Sequence, residues 1–181
     1  MHPVPATTRA RASLTLPLAL LASLGWCALA QASGGPDSFG YTWLASTEGG
    51  PTYTFEIAPS GVDPLDLDDD DMTTAALGFT FPFYGDVYTD VHIHSNGGLS
   101  FGPDTTTLPP AHACPLEPPA APHVLPYYSD LDPSSVNTPL AGVYAWSLGE
   151  PGARRFIVEW KEIPHFGVPG RTQFEAKIFE A

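Results

Sequence analysis

Two groups of residues in this sequence have the types and spacing that chemistry asks for. The first is acidic. Six aspartates fall between Asp63 and Asp71, and Asp66, Asp68 and Asp70 alternate as D-x-D-x-D. Hard cations such as Ca²⁺ take roughly six to eight oxygen ligands, and this spacing begins the loop of an EF-hand. The rest of that loop is missing, because Asp71 stands at the glycine position and Leu77 at the closing glutamate position. The run therefore points to a looser Ca²⁺ site at Asp66, Asp68 and Asp70 in a β-sandwich loop. Beside it stands the plainer reading of a solvated acidic turn that discourages edge pairing and keeps the protein soluble. Asp130 and Asp132 form a smaller pair, for which a strand-end turn with Asp side chains bonded to the backbone is the simpler account.

The second group is His92 and His94. An H-x-H pair on a strand puts both imidazoles on one face, as in several zinc and iron sites. A third ligand must come from elsewhere, and the cupin-like positions four and five residues on hold Gly98 and Leu99. Val91 and Ile93 read as the buried face, so both histidines are expected to face solvent. His112, His123 and His165 occur singly. The sequence has no G-x-S-x-G, no H-E-x-x-H and no glycine loop leading into a helix with Lys, so no catalytic residue is assigned and no enzyme is expected. A metal-dependent enzyme using His92 and His94 is the rival. Trp43, Tyr84, Tyr127, Tyr128, Trp146 and Trp160 offer stacking surfaces for sugars, against their commoner role in a core.

The elements that must position these groups read as strands. Leu77, Phe79, Phe81 and Phe83 alternate with Gly78, Thr80 and Pro82. Val91 and Ile93 alternate with the two histidines, and Ser95-Asn96-Gly97-Gly98 makes a turn before Leu99 and Phe101. Asn-Gly favours hairpins because both central positions can take positive φ. Tyr144, Trp146 and Leu148 share a face. Phe156, Val158 and Trp160 share one against Ile157, Glu159 and Lys161, and Phe174, Ala176 and Ile178 alternate with Glu175 and Lys177. Tyr41–Ala45, Tyr53–Ile57 and Val124–Tyr128 are shorter candidates. Around eight strands with turns between them predict an all-β, antiparallel, jelly-roll-like β-sandwich. The 21 Pro and 17 Gly of 181 residues argue against long helices. Seven prolines between Leu108 and Pro126 mark a loop or covering segment.

Met1–Ala32 reads as an export signal: Arg9 and Arg11 precede an uncharged run from Leu14 to Ala30, as in a signal peptide helix. Cleavage after Ala30-Gln31-Ala32 is preferred to cleavage after Ala28-Leu29-Ala30. With Arg9 and Arg11 removed, the formal charge of −13 becomes −15. That is the wrong sign for nucleic acid, which is excluded as a partner. The mature chain, 33–181, has no membrane span and keeps Cys114 as its single thiol.

Leu77–Gly102, LGFTFPFYGDVYTDVHIHSNGGLSFG, resembles the opening of the nidogen-type extracellular (NIDO-like) domain and its bacterial secreted relatives. Pro126-Tyr127-Tyr128-Ser129-Asp130-Leu131-Asp132, Gly142-Val143-Tyr144, the strand carrying Phe156, Val158, Glu159 and Trp160, and Thr172-Gln173-Phe174 follow in the family's order. The resemblance spans about residues 63 to 181. It implies a secreted or cell-surface module, associated in animals with cell-matrix adhesion, and it brings no catalytic residues. Strands that the family would place after Ala181 are missing, so a fragment of a larger protein is expected. The export signal is of bacterial type. The expectation is a non-enzymatic module binding an extracellular protein or glycan, requiring no cofactor beyond a Ca²⁺ that stiffens it. A carbohydrate-binding accessory module of a secreted hydrolase is the alternative.

Overall fold

The computed structural model describes residues 33–103, 105–109, 121–136 and 140–181. Residues 1–32, which carry the expected export signal and Cys27, and the stretch with His112 and Cys114, lie outside them. Among the described residues seven strands follow in order: β1 Met72–Phe83, β2 Asp86–His94, β3 Gly98–Ser100, β4 His123–Val124, β5 Gly142–Leu148, β6 Arg155–Pro164 and β7 Arg171–Phe179. They form two antiparallel sheets, β1-β2-β3-β4 and β5-β6-β7. The all-β sandwich is as the alternation predicts. Among the described residues, no helix is long and apolar enough to cross a membrane.

Local chemistry sets the turns. Phe83 pairs with Asp86 across a two-residue loop in which Tyr84 and Gly85 both have positive φ, 49° and 90°. Such paired left-handed residues match the twist of a hairpin. At Ser95-Asn96-Gly97 the loop has three residues, with His94 paired to Gly98, and only Gly97 there is left-handed, at φ 81°. The sequence reading placed the tighter turn here, but Asn96 is kept out of that geometry by the work of its side chain, described below. Pro82 lies in β1, an edge strand, where a missing N–H does least harm to the ladder.

The inner faces of both sheets make the core. Leu77, Val91, Ile93, Leu99, Val158 and Trp160 belong to one buried cluster, so the predicted inward faces of β1, β2, β6 and β7 are observed. Trp160 stacks on Phe174 at 4.8 Å and donates from Nε1 to the His94 carbonyl at 3.0 Å, which ties the two sheets together.

The outer face of β5–β7 is also covered. Tyr144, Trp146 and Ile157 pack there with Ala58 and Val62 of an extended strap. Tyr53–Ile57, expected as a strand, belongs to this strap and joins no sheet. It hangs instead on side chains: the Ala58 N–H donates to Glu159 at 2.9 Å, the Glu56 N–H donates to Glu175, and Lys177 donates to the Thr54 carbonyl. Glu159 is fully buried and also accepts from Gln173. Tyr41–Ala45 makes only one bridge, Trp43 to Gly34, and the last short strand is His123–Val124 rather than Val124–Tyr128.

Candidate functional site

Both histidines are buried, which corrects the expectation that they face solvent: His92 is 8% exposed and His94 0%. Alternation identified their face but could not show that Gly102, Leu108 and β1 cover it. His92 bonds through Nδ1 to Thr74 Oγ1 and through Nε2 to the Gly102 carbonyl, both at 2.8 Å. The carbonyl can only accept, so Nε2 carries the proton. In His94, Nδ1 accepts from the Leu108 N–H at 3.2 Å, leaving Nε2 to donate to Ser100 Oγ at 2.8 Å. All four ring nitrogens are thus engaged inside the fold, where they join β2 to its neighbours.

The turn between β2 and β3 organises the acidic end of the molecule. Ser95 meets the acidic run directly: its N–H and Oγ both donate to the Asp71 carbonyl, and its Oγ accepts from the Asp71 N–H at 2.9 Å. Asn96 is fully buried. Its amide donates to Asp70 Oδ1 at 2.7 Å and to the Leu108 carbonyl at 3.1 Å, while its Oδ1 accepts from the Leu131 N–H at 2.8 Å. Its own carbonyl accepts from the Ser129 N–H. Gly97 completes the set, because a Cβ at that position would lie 2.0 Å from the Tyr127 carbonyl oxygen. These three residues therefore bind three separate stretches of chain: the 70–71 turn, Leu108 and 127–131.

That junction carries the two acidic segments to one place. Among the described residues, Asp69, Asp70 and Asp130 can bring one oxygen each within 4.8 Å of the others. Asp70 alone of the predicted trio belongs to this group. Asp66 and Asp68 are exposed on the approach to it, where the Asp68 N–H donates to Asp71 Oδ2. Asp132 is spent as a cap. Burial works to raise its pKa, but hydrogen bonds from Ser134 and Ser135 prevail and hold it below the usual carboxylate value. This is the backbone-bonded turn that the sequence suggested.

Asp69 is pushed the other way. Burial first, then the charges of Asp132, Asp70 and Asp130, raise its pKa above the usual 3.8. Its Oδ1 is buried and has no hydrogen-bond partner among the described residues. A converging set of carboxylate oxygens is the donor chemistry that Ca²⁺ takes, with carbonyls and water completing the shell. The chain's residues fit that cation better than a soft metal, which prefers nitrogen and sulfur. Asp69 and Asp130 were missed as a pair because their convergence is spatial. The signal that could have found it is Asn96-Gly97, whose side chain and missing Cβ bring the segments together.

Of the aromatic residues proposed for stacking, Trp146 and Trp160 are core, Tyr84 and Tyr128 are half-buried, and Trp43 and Tyr127 are exposed. Residues 40–181 match the family model described as NIDO related. No curated protein and no solved structure matches the chain. By a match that covers most of its length, including both sheets and the junction at Asn96, the chain belongs to the NIDO-related family.

Proposed function

We propose that this chain is exported and acts outside the cell as a non-enzymatic module that binds a protein or glycan partner, with Ca²⁺ at Asp69, Asp70 and Asp130 fixing its acidic end. The observation that carries the reading is the family match over residues 40–181, since the NIDO-type domain is an extracellular one. The engagement of every ring nitrogen of His92 and His94 in structural bonds favours it over a metal-dependent enzyme, because neither imidazole has a lone pair left for a metal. The cation would supply charge neutralisation and cross-linking between the 69–70 turn and Asp130, with no role in bond breaking.

The test combines three measurements on the exported protein. N-terminal sequencing is expected to begin at Ser33. Surface binding to panels of matrix proteins and oligosaccharides, in Ca²⁺ and in EDTA, is expected to give saturable binding without turnover. Bound zinc or iron accompanied by hydrolytic or oxidative turnover, both lost in a His92→Ala/His94→Ala variant that still folds, would overturn the reading.

A further inference from the structure

The strap covers the outer face of β5–β7 incompletely. At its open end a groove of about 440 Å³ is lined by Thr52, Tyr53, Glu56, Arg155, Lys177 and Phe179, a size within the range of small-ligand sites. Phe179 lies directly across the β6–β7 register from Arg155. Tyr53 and Phe179 are 56% and 60% exposed, so two aromatic rings face solvent at one groove.

Tyr53 is held although it is exposed. Its hydroxyl is hydrogen-bonded to Glu175, whose side chain is 0% exposed. The Lys177 ammonium lies 5.2 Å from its ring centroid, and Phe55 meets it edge-on at 6.2 Å. A ring fixed at its hydroxyl, on one face and at its edge has little freedom left to lose on binding, which is what makes a tyrosine a good contact surface.

The cations around this ring are all paired. Arg155 donates from Nε and Nη2 to the two oxygens of Glu56, and Lys177 pairs with both Glu56 and Glu175. With the buried Glu159, three carboxylates meet these two cations, and no positive charge is left over to select an anionic ligand. Arg155 Nη1 makes no hydrogen bond among the described residues and keeps its two donors beside the rings.

We infer that this groove is a stacking subsite for a neutral pyranose unit of a glycan. The C–H face of the sugar lies on Tyr53 and Phe179, and its hydroxyls accept from Arg155 Nη1. The excess of carboxylates disfavours an anionic polysaccharide, while two exposed rings, with Tyr53 held in place, suit a ligand with one apolar face and a polar rim. The inference rests on the binding-module reading and names the ligand class for it.

The experiment is an NMR titration of the isotope-labelled chain with maltohexaose, cellohexaose and chitohexaose, and with heparin as the charged comparison. At least one neutral hexasaccharide is expected to shift the Tyr53, Phe179 and Arg155 side-chain resonances saturably, and heparin is not. Phe179→Ala is expected to weaken that binding about tenfold, the equivalent of one buried ring contact, with an unchanged amide spectrum away from the groove. Tyr53→Phe, which keeps the ring but frees it from Glu175, is expected to bind more weakly than wild type but more tightly than Phe179→Ala. Failure of all three neutral sugars to move these resonances overturns the subsite, as does wild-type affinity in Phe179→Ala or tighter occupation of the groove by heparin. A partner that binds elsewhere with these resonances unmoved removes the subsite and leaves the module reading standing. Turnover of a bound sugar does the reverse.

Discussion

The two ends of this sandwich handle clustered carboxylates in opposite ways. On the outer face of β5–β7, Glu159, Glu175 and Glu56 each meet a donor of the protein: a strap N–H, Gln173, Lys177 or Arg155. At the acidic end, Asp69, Asp70 and Asp130 converge on one another, Asn96 donates to Asp70, and Asp69 Oδ1 meets no donor among the described residues. A carboxylate group with its donors built in is finished by folding. One without them is finished only by something added, and that contrast separates a structural device from a candidate site.

The largest effects are expected where the acidic end is knitted together. Gly97→Ala places a Cβ against the Tyr127 carbonyl and a side chain at φ 81°, and is expected to cost about 3 kcal/mol or more. Asn96→Ala leaves the Leu131 N–H and the Leu108 carbonyl without their buried partner, for about 3 kcal/mol. Urea unfolding midpoints read both. A loss below about 1 kcal/mol in Asn96→Ala would show that water replaces the side chain and that the junction does not organise this end.

On the other side, Glu159→Ala removes the acceptor of the Ala58 N–H and of Gln173, at an expected cost of about 2 kcal/mol. Because the strap lies on that face, amide exchange should accelerate at Glu56 and Ala58 before it does in β1 or β2. Uniform acceleration instead would mean that the strap and the sheets open as one unit.

Calcium distinguishes the two ends directly. At free Ca²⁺ about ten times its Kd, linkage gives roughly 1.4 kcal/mol, or about 3 °C in Tm for a domain of this size. Asp69→Asn/Asp130→Asn is expected to abolish that rise, and Asp66→Asn/Asp68→Asn to leave it intact. The reverse pattern would restore the D-x-D-x-D trio as the ligand set.

How far the sequence carries this picture follows from what alternation can and cannot encode. Period 2 gives the faces of β1, β2, β6 and β7, because each inward residue is apolar and its neighbours mostly are not. It does not say whether the second face is covered. His94 and Glu159 look like outward residues, yet each is fully buried beneath chain that is remote in sequence. The Asp run was visible as an acidic cluster, but the carboxylates that converge include Asp130, about sixty residues away. Nothing in local spacing encodes that distance. Asn96-Gly97 was legible as a turn and not as a junction, since the partners of a buried amide are set by tertiary structure.

The smallest effect is a pH signature of opposite sign at the two ends. The hydrogen bond from Arg155, with help from Lys177 and against the opposing effect of burial, lowers the pKa of Glu56 from the usual 4.5. The bond from Arg154 likewise holds Glu180, at the end of β7, at about 2. A depressed carboxylate stabilises the fold above its unfolded pKa, and that contribution is lost as pH falls through the folded value, here between about pH 5 and 2. Asp69 is raised, so its ionised form opposes folding near neutral pH, and the opposition disappears as the group protonates on acidification. Carboxyl-carbon NMR titration is therefore expected to place the Asp69 midpoint above the ordinary aspartate value, that of Glu56 below the ordinary glutamate value, and that of Glu180 at about 2. Ca²⁺ sharpens the comparison, since a cation favours the ionised form of its ligands. It should carry the Asp69 midpoint downward while leaving Glu56 and Glu180 where they are. An Asp69 midpoint that Ca²⁺ does not move would leave the acidic end as a charged turn held by Asn96 and nothing more.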